Sequence, residues 1–202
     1  KIIGEIIFVD DNSEDGTFNT IKELKYKKIK AYKRLSNRDL CKSVIFGIKR
    51  SKFKNILVMD CDLQHDTKYI PMLWKKFKSN NLDIVIASRF QNNRIYGNLG
   101  IIRSSISKLA IGFINIILGK KTSDPLSGFF LCKKHIVTKH FKNFFCRGYK
   151  ILFDIIYNGQ RNLRISDVGI HFKKRRHEIS KFNLRIIRIF LVQIIYTIFL
   201  VK

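Results

Sequence analysis

The 202-residue chain carries 40 Lys and Arg against 15 Asp and Glu, a formal net charge of +25, with 46% hydrophobic and 27% charged residues. That composition excludes a disordered chain, and the length suits one packed core with a small appendage. The charge implies an anionic partner: nucleic acid, an acidic membrane surface or a phosphorylated substrate. Lys, Ile, Asn and Phe are abundant throughout, as AT-rich coding produces, which weakens charge as a specific signal.

The chain opens on Lys1-Ile-Ile-Gly-Glu5 with no initiator Met and no signal peptide, so it is expected to be an internal piece of a longer protein. Glu5 to Val9 predicts a strand of β-branched and aromatic residues. It runs into Asp10-Asp11-Asn12-Ser13-Glu14-Asp15-Gly16-Thr17, a loop of turn formers that puts carboxylates just past a strand end. Thr17 to Lys27 has helical spacing, with Phe18, Ile21 and Leu24 as its apolar stripe. Ile29 to Arg34 predicts a second strand, and Ser36 to Arg50 a helix capped by Ser36 or Asn37.

The next segment, Asn55 to Asp66, reads Asn-Ile-Leu-Val-Met-Asp-Cys-Asp-Leu-Gln-His-Asp. Ile56 to Met59 predicts a short buried strand whose end delivers Asp60 and Asp62 at spacing i, i+2. In an extended chain those two carboxylates point to one side, and Gln64 joins them if the extension persists. Oxygen ligands on one face suit Mg²⁺ or Mn²⁺, which take their remaining ligands from water and substrate phosphates. The alternative is that these acids cap the helix beginning near Asp66.

A helix over Ile70 to Lys78 tolerates Pro71 in its first turn, and Leu82 to Ala87 predicts a buried strand ending at Ser88-Arg89. Ile101 to Leu118 is a long amphipathic segment. It leads to Asp124-Pro-Leu-Ser127-Gly128, a tight loop, followed by a strand over Phe129 to Cys132. Lys150 to Tyr157 predicts a helix carrying Asp154, which could be a site acid or a surface charge. Arg164 to Phe172 predicts an edge strand, and Lys173 to Lys181 a basic loop. Strands alternating with helices argue for a mainly parallel sheet with helices on its faces, whose ligands sit outside the carboxyl ends of the strands.

The last run, Phe182 to Val201, is apolar almost all round apart from Arg185, Arg188 and Gln193. It reads as an interfacial helix or as the start of a transmembrane helix. Cys41, Cys61, Cys132 and Cys146 show no metal-ligand spacing and read as reduced thiols. His65 reads as a supporting or base-stacking residue rather than a ligand, and His171 as exposed.

Six segments then occur in one order: Val9-Asp-Asp-Asn-Ser-Glu-Asp-Gly-Thr17, Asp60-Cys-Asp-Leu-Gln-His65, Ala87-Ser-Arg-Phe90, Asp124-Pro-Leu-Ser-Gly-Phe-Phe130, Gly148-Tyr-Lys-Ile-Leu152, and Phe172-Lys-Lys-Arg175 with Ser180-Lys181. Together they make the chain resemble the dolichol-phosphate mannosyltransferases and bacterial polyprenyl-phosphate glycosyltransferases of glycosyltransferase family 2. The resemblance implies an α/β GT-A (Rossmann-like) fold, with a mainly parallel mixed sheet, helices on both faces and a C-terminal membrane-associated helix. Residues 1–181 would form the catalytic domain and 182–202 the membrane helix.

The resemblance also implies roles. Asp60, Asp62 and Gln64 would hold Mg²⁺ or Mn²⁺; Asp10, Asp11 and Asp15, with Asp60 and Arg89, would bind the nucleotide sugar. Arg103, Ser127, Arg175 and Lys181 would meet the lipid phosphate, and Asp124 would sit in the acceptor loop. Arg175, in a basic run, reads equally well as a solvated or lipid-facing charge. The implied reaction is inverting transfer of mannose or glucose from GDP-mannose or UDP-glucose to a polyprenyl phosphate at the cytoplasmic face of a membrane. The alternatives are another family 2 enzyme acting on a cell-envelope glycan, and a basic membrane-attached scaffold without catalysis. No nucleic-acid-binding motif is present, and no nucleic-acid partner is expected. Three departures stand out: the family's first strand with its Pro-x-Tyr-Asn-Glu element is absent, Glu178 replaces a usual glycine, and Gly169 a usual proline.

Overall fold

The computed structural model describes residues 4–91, 94–95, 111–159, 162–173 and 184–199. In chain order these form β1 (Ile6–Asp10), α1 (Thr17–Glu23), β2 (Ile29–Lys33), α2 (Leu40–Arg50), β3 (Asn55–Val58), a 3₁₀ turn at Thr67–Tyr69 and α3 (Ile70–Ser79). There follow β4 (Ile84–Ser88), β5 (Phe90–Gln91), β6 (Arg94–Ile95), α4 (residues 111–118) and β7 (Phe130–Lys133). The remainder are α5 (Lys134–His140), a 3₁₀ turn at Phe141–Asn143, α6 (Ile151–Asn158), β8 (Ile165–Gly169) and α7 (Leu184–Phe199).

The central sheet has the order β3-β7-β4-β8. β4 and β8 are parallel, with Ile86 opposite Asp167, whereas β7 runs antiparallel to both β3 and β4. The sheet is therefore mixed, and β8 is an edge strand as its sequence predicts. β1 and β2 form a separate parallel pair, and β5 and β6 a short hairpin.

Strand alternation sorts the core into two layers. Ile84, Ile86, Phe130 and Cys132 face one way and pack with Ile45 and Ile48 of α2, Ile114 of α4, Ile136 of α5, Phe153 of α6 and Ile194 of α7. Val85, Ala87, Phe129 and Leu131 face the other way, against Leu73 and Phe77 of α3. Helices thus cover both faces. Each fully buried Ile or Phe of this kind contributes about 1.5–3 kcal/mol.

Two helices differ from their sequence-based bounds for local reasons. α2 begins at Leu40 rather than Ser36, because the Asp39 carboxylate takes the cap, accepting from Lys42 N at 3.0 Å. Arg34 meanwhile donates to the Asn37 carbonyl at 2.8 Å and keeps the preceding residues in a turn. α1 stops at Glu23, and Lys25 just beyond it has a left-handed φ of 44°. None of its residues is buried. α5 lies in a stretch for which the sequence suggests no helix.

α7 is fastened to this body. Gln193 is buried and donates to Asp154 Oδ1 at 2.8 Å, while Phe190 meets Phe153 edge-on and Tyr196 lies against Phe145. Among the described residues no helix is long and apolar enough to cross a membrane. The outer side of α7 leaves Leu191, Val192, Ile195 and Phe199 exposed.

Candidate active site

The strand end at β3 hands the chain to a tight turn rather than to continued extension. Gln64 N donates to Asp62 Oδ1 at 3.1 Å, and Leu63 adopts a left-handed φ of 62°. The i, i+2 argument that would align Gln64 with the two acids therefore fails at Leu63. The Gln64 carboxamide instead donates to the Lys173 carbonyl at 3.2 Å, and Lys173 N returns a bond to the Gln64 carbonyl at 3.1 Å. This clasp ties the acidic turn to the segment leading into the basic loop. Beside it, Lys173 Nζ lies 2.8 Å from Asp66. That hydrogen bond, together with the Lys68 amide, holds the Asp66 carboxyl down to about 2.

His65 braces the same turn from inside. Its Nδ1 accepts from Asp60 N at 3.2 Å, and its ring stacks on Phe129 at 5.0 Å and meets Phe172 edge-on at 4.8 Å. The supporting role anticipated for this histidine is what the geometry displays. Neither Asp60 nor Asp62 caps a helix: the 3₁₀ turn leading into α3 is capped by Asp66, which accepts from Lys68 N at 3.1 Å.

Opposite the turn, the loop over residues 122–128 lies across the end of β4. Arg89, just past β4, grips Asp124 through Nε at 3.0 Å and through Nη2 at 3.2 Å, and its amide donates to the same carboxylate at 3.3 Å. Asp124 is completely buried. Burial pulls the Arg89 pKa down, but the Asp124 charge, the hydrogen bonds to it and the Asp60 charge outweigh this and hold it above its ordinary value. The guanidinium also faces the rings of Phe90 and Phe172 at 5.4 and 5.3 Å. Two of its five N–H donors are used in the fork, and it remains part-exposed beside Asp60.

Gly128 closes the arrangement. A Cβ there would fall 2.6 Å from Asp60 Oδ2, so only glycine lets the loop and the acidic turn touch. Ser127, expected at the lipid phosphate, is instead buried. Its hydroxyl donates to the Ala87 carbonyl at 2.8 Å and accepts from Phe129 N at 3.2 Å, which pins the loop to β4.

The first acidic cluster sits on the β1–β2 unit and is engaged locally. Asp10 accepts from Ser13 N at 3.1 Å, and Asp11 pairs with Arg34 at 2.7 Å while also accepting from the Asp39 amide. Asp15 is exposed and accepts from Thr17 N at 3.0 Å and Thr17 Oγ1 at 2.6 Å; these bonds hold its carboxyl below the usual range. Asp39 in turn accepts from Gly148 N at 2.8 Å, linking this cluster to the Gly148–Leu152 segment. The structure thus brings Asp60, Arg89 and Asp124 together, while Asp10, Asp11 and Asp15 form a second group beside α2. Arg103, Arg175 and Lys181 lie outside the described residues.

Three site-building residues were not anticipated: Asp39, Arg34 and Asp167. Asp167 alone left a trace in the sequence, as the one charged residue of its short strand.

Among the described residues no three His, Cys, Asp or Glu side chains gather to hold a metal by themselves. A divalent ion at Asp60 and Asp62 would take the rest of its shell from water and phosphate, and the all-oxygen character of these donors fits Mg²⁺ or Mn²⁺.

An α/β body with a carboxylate turn, a buried Arg–Asp fork and a glycine-spaced contact between them is of the GT-A-like class. Solved structures agree on the fold: mannosyl-3-phosphoglycerate synthase from Rubrobacter xylanophilus superposes with a TM-score of 0.66 at 17% identity, covering 98% of this chain and 63% of that one. Glucosyl-3-phosphoglycerate synthase from Mycobacterium tuberculosis, crystallised with Mn²⁺, UDP-glucose and phosphoglyceric acid, gives 0.68 at 15% identity over 96% of this chain and 67% of that one. Residues 4–141 match glycosyl transferase family 2, and the chain belongs to that family.

Its curated relatives include the dolichol-phosphate mannosyltransferase of Pyrococcus furiosus, 36% identical over 180 residues, covering 88% of this chain and 50% of that protein. The dolichol-phosphate mannosyltransferase of Mycosarcoma maydis is 28% identical, over 95% of this chain and 65% of that protein. That of Saccharomyces cerevisiae is 26% identical, over 94% and 73%. The chain therefore spans about half to two thirds of the length of the first two.

Proposed function

We propose that the protein transfers a hexose from a nucleotide sugar to a polyprenyl phosphate, with inversion at the anomeric carbon, at the cytoplasmic face of a membrane. The observation that carries this reading is the contact of the Asp60 turn with the Gly128 loop, beside the Arg89–Asp124 fork. It is supported by similarity to three proteins named dolichol-phosphate mannosyltransferase.

The chemistry suits these groups. A lipid phosphate is already anionic, so its oxygen attacks the sugar carbon without a strong general base. The bond to the nucleoside diphosphate breaks as the new glycosidic bond forms, and negative charge builds on the departing diphosphate. Arg89, fixed by Asp124, offers its remaining N–H donors to that charge. Asp60 and Asp62 would hold a divalent cation, Mg²⁺ or Mn²⁺, which supplies electrostatic stabilisation of the leaving group. Asp10 and Asp11 are proposed for the nucleoside end; Asp11 is held by Arg34 and the Asp39 amide, Asp10 accepts from Ser13 N, and Asp15 holds the loop. Arg103, Arg175 and Lys181 are proposed for the acceptor phosphate. The exposed apolar side of α7, with Arg188 on it, suits a lipid surface carrying that acceptor.

The test is isothermal titration of GDP-mannose and of UDP-glucose into the protein, with Mn²⁺ and with EDTA, alongside Asp60→Ala and Asp62→Ala. Mn²⁺-dependent binding of one donor, abolished in both variants, is the expected result and names the donor. Binding that persists in EDTA and in both variants rejects the donor site.

A further inference from the structure

We infer that Asp167, on the edge strand β8, is a positioning residue that sets the Arg89 guanidinium through the 122–124 loop; the inference deepens the proposed transferase reading and rests on it for its catalytic consequence. The Asp167 carboxylate receives three short bonds: from Thr122 Oγ1 at 2.6 Å, from Ser123 N at 2.6 Å and from Ser123 Oγ at 2.7 Å. Thr122 Oγ1 in turn accepts from Asp124 N at 3.2 Å, and Asp124 accepts the Arg89 fork. Ser123 Oγ is also 2.7 Å from Ser88 Oγ, at the end of the neighbouring strand.

Hydrogen bonds thus run from Asp167 through Thr122 to the Asp124 amide, and the carboxylate of the same Asp124 holds Arg89. The anchor is rigid. Asp167 lies opposite Ile86 in the parallel β4–β8 ladder, and its carbonyl accepts from Lys76 Nζ at 2.7 Å, which ties β8 to α3. Ser127, at the far end of the loop, bonds to Ala87. The loop is stitched to β8 at one end and to β4 at the other, and the residue presented between the stitches is Asp124.

A carboxylate accepting three charge-assisted bonds fixes geometry far better than one, and a loop that drifts by an ångström carries Asp124 and Arg89 with it. Asparagine at 167 keeps the size but replaces one oxygen with a donor, which sets N–H against N–H or O–H in the Ser123 contacts. Glutamate keeps the acceptors on a longer stem.

The experiment uses the full chain and two readouts. The first is the Arg89 Nε–H resonance in ¹⁵N NMR, assigned with Arg89→Lys, together with its exchange rate with water. In the wild type it is slow, because Nε–H is bound to Asp124; in Asp167→Asn it exchanges about 10-fold faster or broadens away, and Asp167→Glu restores it in part. The second readout is hexose transfer to a polyprenyl phosphate in detergent, assayed with both GDP-mannose and UDP-glucose. Asp167→Asn lowers kcat about 10- to 100-fold, the range for removing a hydrogen-bonded support of a site, while KM for the donor used changes less than about 3-fold. Arg89→Lys combined with Asp167→Asn is no worse than Arg89→Lys alone, because the two act in one chain of contacts.

Asp83→Asn is the control. Asp83 locks another junction by accepting from Lys133 Nζ at 2.7 Å and Arg164 N at 2.9 Å, so its loss lowers stability without altering the Arg89 signal or kcat. An unchanged Arg89 resonance in Asp167→Asn, or additive losses in the double variant, overturns the inference. A wild type that transfers no sugar while its Arg89 resonance still depends on Asp167 rejects the transferase reading and leaves the positioning role standing.

Discussion

The carboxylate of Asp60 rests directly on the Cα of Gly128, so closely that a methyl group there would lie 2.6 Å from Oδ2. Two segments 68 positions apart in sequence therefore meet at a single hydrogen-sized gap. Gly128→Ala is expected to push Asp60 aside, to cost about 1–3 kcal/mol by overpacking and to weaken Mn²⁺-dependent GDP-mannose binding at least about 10-fold. Urea unfolding and titration calorimetry measure the two effects on one sample. An alanine variant that binds like the wild type would show that the contact does not place Asp60.

The Arg89–Asp124 pair gives a second expectation. Asp124 is wholly buried, so Arg89→Met leaves its carboxylate, among the described residues, with the Arg89 amide as its one remaining donor. Breaking one side of a buried pair costs about 3–5 kcal/mol. Asp124→Asn keeps an acceptor for Nε and is expected to cost less. Chemical unfolding of both single variants and the double variant resolves the coupling, and near-additive losses would mean that the pair does not act as a unit.

His65 supports Asp60 through a bond to its backbone amide. His65→Phe keeps the ring between Phe129 and Phe172 but removes the acceptor for Asp60 N. The expected cost is about 1–3 kcal/mol for an amide left without that partner. His65→Asn restores an acceptor but not the stacking, so comparing the two in thermal unfolding separates ring from nitrogen.

Much of this was legible in the sequence because it rests on local patterns. β4 reads as a buried strand since all of Ile84 to Ser88 is enclosed, and the turn formers at Asp10 to Gly16 break the chain where they should. The D-x-D was legible as a motif but its shape was not: the left-handed Leu63 is a property of the turn that no spacing rule announces. The direction of β7 was also hidden, because a short apolar run reads the same in parallel and antiparallel sheets. Asp39 follows Ser36 and Asn37, which are equally good caps by residue type, and only the fold brings Gly148 and Asp11 to it. The lipid-phosphate role for Ser127 comes from the family resemblance alone, and no local pattern shows that its hydroxyl fastens the loop to Ala87.

Asp154 carries the last expectation, in pH dependence. It is wholly buried on α6, and burial raises its pKa from 3.8 to about 6, against the opposing pull of Gln193 and of the Cys146 and Phe145 amides. Below pH 3.8 the folded and unfolded chains both hold the proton. Between 3.8 and about 6 the folded chain keeps it while the unfolded chain loses it, so stability falls as pH rises through this window and then levels off. The loss is roughly 3 kcal/mol at 1.36 kcal/mol per pH unit. Asp154→Asn keeps the oxygen that accepts from Gln193 but has no proton to lose. The variant is expected to remove this part of the decline and to be the more stable protein at pH 8. Gln193→Leu takes away the bond that favours the ionised form, so it should lower stability more at pH 8 than at pH 5. Urea midpoints at the two pH values measure both effects. A decline that is the same in Asp154→Asn as in the wild type would assign it to other groups and would leave the fastening of α7 independent of the charge on Asp154.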